Sequence, residues 1–146
     1  MNDRILAIAA SALLCGAGLA SVARADDPPA AAQPAAAPRI SQDDLLARLD
    51  RKDPDVVVLD VRTPAEFAAG HVPGARNLSH DQIEGRLAEL DSLRGKDVVL
   101  YCRSGRRTAL AEDMLRKAGF TRLLHLDGDW LAWEAAHRPV ETPDAK

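Results

Sequence analysis

Val56-Val57-Val58-Leu59 and Val98-Val99-Leu100-Tyr101 are unbroken apolar runs without the alternation of a half-solvated strand. Each predicts a strand buried on both faces. Leu123-Leu124-His125-Leu126 predicts another. Between these runs the apolar positions change to helical spacing. Ser41-Gln42-Asp43-Asp44 caps a helix whose stripe is Leu45, Leu46 and Leu49. Thr63-Pro64-Ala65-Glu66 is a capping box with proline at the first helical position. Val72-Pro73-Gly74-Ala75 predicts a type II turn with Gly74 at positive φ. Ile83, Leu87 and Leu90 predict a further helix. From Arg106 to Ala118, Leu110, Ala111, Met114, Leu115 and Ala118 share a face that Gly119 closes. A short helix is expected from Asp129 to Ala136. Strands alternating with helices make this an α/β chain with a parallel sheet covered on both sides.

The ends of the chain read differently. Arg4 precedes an apolar stretch from Ile5 to Ala20, and Ala23-Arg24-Ala25 fits a small-x-small cleavage site. Residues 1–25 are therefore expected to be a signal peptide. An uncleaved anchor is the alternative, and lipidation at Cys15 is disfavoured by the large Leu14 before it. The Ala-rich leader is of the bacterial kind, which points to a periplasmic protein with no stable membrane association after cleavage. Residues 26–38, DDPPAAAQPAAAP, form a Pro/Ala-rich linker, and 140–146 a disordered tail. One domain, residues 39–139, remains. With 47% apolar and 28% charged residues and a net charge of -3, the whole chain has material for a core and no basic surplus for nucleic acid.

Cleavage would leave Cys102 as the only cysteine, unable to form an internal disulfide. It lies between a strand and a helix, where ligands of parallel sheets bind. The loop Cys102-Arg103-Ser104-Gly105-Arg106-Arg107 combines backbone amides, a helix N-terminus and three guanidinium groups. All three favour a sulfur anion, making Cys102 a candidate nucleophile without a histidine base. A merely buried core cysteine is the plainer alternative, although such thiols are not usually ringed by arginines.

The stretch from Tyr101 to Ala109, with Cys-x-x-Gly entering a helix, resembles the active-site loop of rhodaneses. Asp60-Val61-Arg62-Thr63-Pro64-Ala65-Glu66-Phe67 and Gly70-His71-Val72-Pro73-Gly74-Ala75-Arg76-Asn77 resemble that family's upstream signature, and Gly128-Asp129-Trp130-Leu131-Ala132-Trp133 its closing motif. The resemblance implies a rhodanese-like three-layer fold with a central parallel five-stranded sheet flanked by helices. It also implies sulfur transfer through a Cys102 persulfide, with no cofactor. The donor would be a small anion such as thiosulfate. The acceptor would be cyanide or a thiol, including a protein thiol. Arg103, Ser104, Gly105, Arg106 and Arg107 would form the substrate-binding loop, with Arg107 the first choice to face the substrate.

Other positions carry plainer expectations. Asp60 and Arg62 should tie a strand end to a helix start, His71 should be a hydrogen-bonded turn residue, and Trp130 and Trp133 should be core. His71, His80, His125 and His137 lack metal-ligand spacing. Asp129 stands where the family often has a second glycine. N-capping the last helix is the favoured role, and a place beside the cysteine loop, opposing anions, is the alternative. Two other functional readings stay open. One is an oxyanion-directed phosphatase or arsenate-reductase-like enzyme, and the other a low-turnover sulfur-relay module. Cysteine phosphatases use Cys-x5-Arg, whereas four residues separate Cys102 from Arg107 here.

Overall fold

The structure, a computed structural model, describes residues 36–143. The expected signal peptide, most of the linker and the last three residues lie outside the described residues. Five strands form one parallel sheet: β1 (Arg39–Ile40), β2 (Val56–Asp60), β3 (Arg76–Asn77), β4 (Asp97–Tyr101) and β5 (Leu123–Leu126). Their order across the sheet is β1-β5-β4-β2-β3. The long runs seen in the sequence take the centre, with β2 and β4 paired from Val56↔Asp97 to Asp60↔Tyr101. The two outer strands have only two residues each.

Because strand side chains alternate, the buried runs fill two cores. Val98 and Leu100 face one side, where they meet Ala111 and Leu115 of α3 (Arg106–Lys117). Val99 and Tyr101 face the other, against Leu45 of α1 (Gln42–Asp50) and Trp130 and Trp133 of α4 (Asp129–Ala135). The expected three layers are therefore present. Ser41 caps α1 by accepting the Asp44 amide. The capping box of α2 (Pro64–Ala69) is complete, with Thr63 and Glu66 each bonding the other's backbone.

Two helix expectations change. Leu110, assigned to the buried face of α3, is 49% exposed, because its neighbour Ala111 takes the inward direction. The Ile83–Leu90 region is 3₁₀ rather than α: His80–Gln82, then Glu84–Leu93 with an interruption at Arg86. Leu87, Leu90 and Leu93 recur every three residues, so a helix of three residues per turn aligns them toward the core. Gly85 also weakens the case for a regular α-helix there.

The packed chain runs beyond Pro139. Glu141 pairs with His71 through two backbone hydrogen bonds of 2.9 Å. Its carboxylate also accepts the Gly74 amide at 2.7 Å. At the other end, Ala37 is buried, and Pro38 accepts the His125 amide. No helix among the described residues is long and apolar enough to cross a membrane.

Candidate active site

Cys102 follows β4 directly and is 1% exposed. The chain then turns through Arg103, Ser104 and Gly105 into α3. Gly105 occupies the N-cap in the left-handed region, φ 95°. That conformation aims its amide back at the cysteine, and the N–H donates to Sγ at 3.1 Å. The sulfur thus sits at the C-terminal end of a central strand, under the N-terminus of a 12-residue helix. Both the dipole and the open amides favour negative charge there.

The three loop arginines are not equivalent. Arg103 and Arg106 are exposed. Arg107 makes a two-pronged pair with Glu66 of α2, at 2.7 and 2.8 Å. The first choice for a substrate-facing arginine is thus already engaged by a carboxylate. Its guanidinium is held above its ordinary value by Glu66 first and by Cys102 to a smaller degree, which keeps it in the field of the sulfur. Arg107, burial notwithstanding, pulls the Glu66 carboxyl down to about 2, aided by Thr63. Ser104 is exposed.

Beside the loop opens a cavity of about 270 Å³, lined by Arg62, Glu66, Gly70, Arg103, Trp130 and Glu134. Arg62 is fixed within it. Its guanidinium donates to Oδ1 of buried Asp60 at 3.0 Å, to Oδ2 at 2.6 Å, and to the Gly70 carbonyl at 2.7 Å. It also lies 4.3 Å from the Trp130 ring centroid. Tyr101 adds a hydrogen bond to Asp60 at 2.7 Å. Asp60 and Arg62 therefore have the structural role expected, but they join the end of β2 to the end of α2 rather than to its start. His71 is the turn residue expected, with Nδ1 2.9 Å from the Phe67 carbonyl and its ring stacked on Phe67. Trp130 and Trp133 are buried in the core.

Asp129 takes the second of its two expected places, beside the cysteine loop, and not the favoured N-cap. The N-cap of α4 is Gly128, and Asp129 itself takes φ 52° with its side chain directed under the cysteine loop. Oδ1 accepts the Cys102 amide at 2.8 Å and the Thr108 hydroxyl at 3.0 Å. Oδ2 meets His125 Nε2 at 2.9 Å. The other ring nitrogen stands 2.8 Å from Glu112 Oε1, off the N–H direction, so the contact is an ion pair more than an aligned hydrogen bond. The second Glu112 oxygen accepts the Ala37 amide at 3.2 Å. Asp129 and Glu112 together raise His125 to about 9, against the opposing effect of burial. Burial pushes both carboxylates up, but their bonds with His125, Cys102 and Ala37 outweigh it and hold both below the ordinary range.

Sequence reasoning missed this network. Glu112 lies between Ala111 and Leu115 on a helix, and His125 lies within an apolar strand. A charged residue on an apolar face was the only local signal. What pairs them is contact between α3, β5 and α4, which no spacing rule records.

A parallel sheet carrying a buried cysteine at a strand end, cradled by a glycine-entered helix, defines a class of cysteine-loop α/β domains. Within that class, residues 41–136 match the rhodanese-like domain, and the chain belongs to that family. A sulfurtransferase of Allochromatium vinosum is 40% identical over 90 residues, covering 62% of this chain and 82% of its own. The thiosulfate sulfurtransferase GlpE of Pseudoalteromonas translucida is 34% identical over 92 residues, covering 63% and 84%. Among solved structures, a rhodanese-related protein from Thermoplasma volcanium superposes with a TM-score of 0.62 at 25% identity, covering 71% of this chain and 97% of its own. The Alr3790 protein of Anabaena gives 0.65 at 28% identity, covering 72% and 83%. The fold is the rhodanese-like one, and the family is one of sulfurtransferases.

Proposed function

We infer that the protein moves sulfane sulfur from an anionic donor such as thiosulfate to cyanide or a thiol, through a persulfide on Cys102. The observation that carries this reading is the Gly105 amide donating to Sγ at the entry of α3. In the first step the thiolate attacks the outer sulfur of thiosulfate. A Cys–S–S bond forms, the bond to the SO₃ group breaks, and sulfite leaves with the electron pair. In the second step cyanide or a thiolate attacks the terminal sulfur, carrying it away and returning the Cys102 thiolate. This is covalent catalysis of ping-pong type. The loop amides hold the charge of the terminal sulfur, and exposed Arg103 and Arg106 attract the donor.

Phosphate-ester hydrolysis fits less well. It requires a wider ring around a tetrahedral anion and a protonated acid for the leaving group. Glu66, the cavity-lining carboxyl paired with Arg107, stays ionised down to about pH 2. Intact-mass spectrometry after thiosulfate treatment should show one added sulfur, removed by cyanide with thiocyanate formed. Cys102→Ser should lose both the adduct and turnover. Robust aryl-phosphatase activity that disappears in Cys102→Ser would replace sulfur transfer with the hydrolytic reading.

We also propose, from the apolar stretch Ile5 to Ala20 and the Ala23-Arg24-Ala25 cleavage pattern, that this chemistry takes place in the periplasm. N-terminal sequencing of protein from the soluble periplasmic fraction should begin at Asp26. A chain that starts at Met1 and stays with the membrane pellet would make residues 1–25 an anchor.

A further inference from the structure

Two groups of charge around this site are buried: the Asp60–Arg62 pair already described and a group of three. Glu112, His125 and Asp129 have side chains 4%, 8% and 5% exposed. Packed apolar residues in such places are often as stable as buried ions, so stability alone does not explain the group. Its location does. Asp129 touches the cysteine loop at its first residue, through the Cys102 amide, and at the first turn of α3, through Thr108. It also lies under Gly105, where a Cβ would stand 3.0 Å from Oδ2. The loop therefore rests on this carboxylate.

That arrangement has an electrostatic consequence. A carboxylate bonded to the amide of the reacting cysteine opposes an anionic donor and an anionic persulfide. The opposing charge must be cancelled from the side away from the sulfur, which is where His125 stands. We propose that Glu112–His125–Asp129 is the positioning and charge-balancing element of the cysteine loop, with Asp129 holding the Cys102 backbone and the His125 imidazolium cancelling its charge toward anionic substrates. The proposal deepens the reading of Cys102 as the reacting atom and rests on it.

The groups facing His125 are few. Glu112 comes from α3 and Asp129 from α4, with Cys102 beyond Asp129 at the end of β4. Arg116 acts on Glu112 from one turn further along α3. Arg39, the register partner of His125 in β1, turns away to Asp127. With His125 charged, the three buried groups sum to one negative charge, and when it loses its proton they sum to two.

The test compares two alkylating agents that differ in charge, iodoacetate and iodoacetamide, on Cys102 of the full folded chain. In each case the thiolate displaces iodide. The ratio of their rates cancels the thiolate fraction and reports the field at the sulfur. In the wild type that ratio should fall by about threefold or more as pH rises through about 9, the size expected for one unbalanced charge behind the loop. Asp129→Asn keeps an oxygen for the Cys102 amide but removes the charge, so its ratio should be higher than the wild type's at every pH, with the fall moved to lower pH because Glu112 alone then holds the imidazolium. His125→Gln should show the low ratio at all pH values. A ratio independent of pH in the wild type, and unchanged in folded Asp129→Asn, overturns the proposal even if His125→Gln does not fold. Because alkylation needs no sulfur donor, the functional reading is judged apart. Failure of thiosulfate to load Cys102, with the ratios as expected, would sink sulfur transfer alone.

Discussion

At Gly105 two constraints meet in one residue. Its φ of 95° lies where L side chains are strained, and a Cβ there would press on Asp129 Oδ2 at 3.0 Å and on the His125 ring at 3.6 Å. Gly74, with φ 73°, has the backbone constraint but open space around it. Gly74→Ala should therefore cost about 1–2 kcal/mol, the usual left-handed penalty. Gly105→Ala should cost more and slow Cys102 alkylation, since Asp129 is too tightly bonded to move aside. Urea unfolding of both variants checks this, and equal losses would mean that the contact with Asp129 is slack. His125 sets a second test at this scale. Its folded value, about 9, lies above the ordinary 6.5. Its contribution to stability is thus complete below about pH 6.5 and is lost as pH rises through about 9. For a domain of this size about 1 kcal/mol shifts the melting temperature by about 4–8 °C. A fall of at least that size between pH 7 and 10, absent in His125→Gln, is expected. A flat wild-type profile would show that the imidazole is not held charged.

Among the elements, legibility followed length and locality. β2 and β4 are built on four-residue apolar runs, β5 is apolar but for His125, and α1 and α2 carry their own caps, so each was evident from neighbouring residues. Arg39–Ile40 and Arg76–Asn77 have too few residues for any period, and only pairing with a central strand makes them strands. Cys102 and its loop were legible because a nucleophile, a turn glycine and a helix start lie adjacent in sequence. The Glu66–Arg107 pair was not, because 41 residues separate its members. That pair joins two helix N-termini. Glu66 Oε2 accepts from the Thr63 amide at 3.1 Å and the Thr63 hydroxyl at 2.9 Å, and from Arg107 at 2.7 Å. The cap of α2 and the first turn of α3 therefore share one carboxylate. Thr63→Ala alone should cost about 1 kcal/mol. In a double-mutant cycle with Arg107→Ala the effects should be non-additive by about 0.5 kcal/mol or more. Additive losses would show that the cap does not orient Glu66 for Arg107.

On the scale of the whole molecule, both ends of the domain reach the site through other residues. Ala37 closes Glu112 from the N-terminal side. On the C-terminal side, Trp133 Nε1 donates to the Pro139 carbonyl at 2.8 Å, and a Cβ on Gly70 would stand 2.8 Å from Val140. Glu141 then fixes the turn from His71 to Gly74. Gly70 is also the residue whose carbonyl receives Arg62 on the cavity wall, so the segment after Arg138 braces the site from behind. This argues that a chain ending at Arg138 loses more than a loose end. It gives up the indole's acceptor, two backbone hydrogen bonds and the bond to Gly74. At a net 0.5–1.5 kcal/mol for each of these four bonds, the loss should total about 2–6 kcal/mol. A chain ending at Pro143 retains all of these and should match the full-length protein within about 0.5 kcal/mol, the range of neutral surface changes. Urea unfolding of the two shortened chains beside the full one decides it. Equal stability of all three would mean that the strand-like pairing at Glu141 adds nothing in solution and that the domain ends at Pro139.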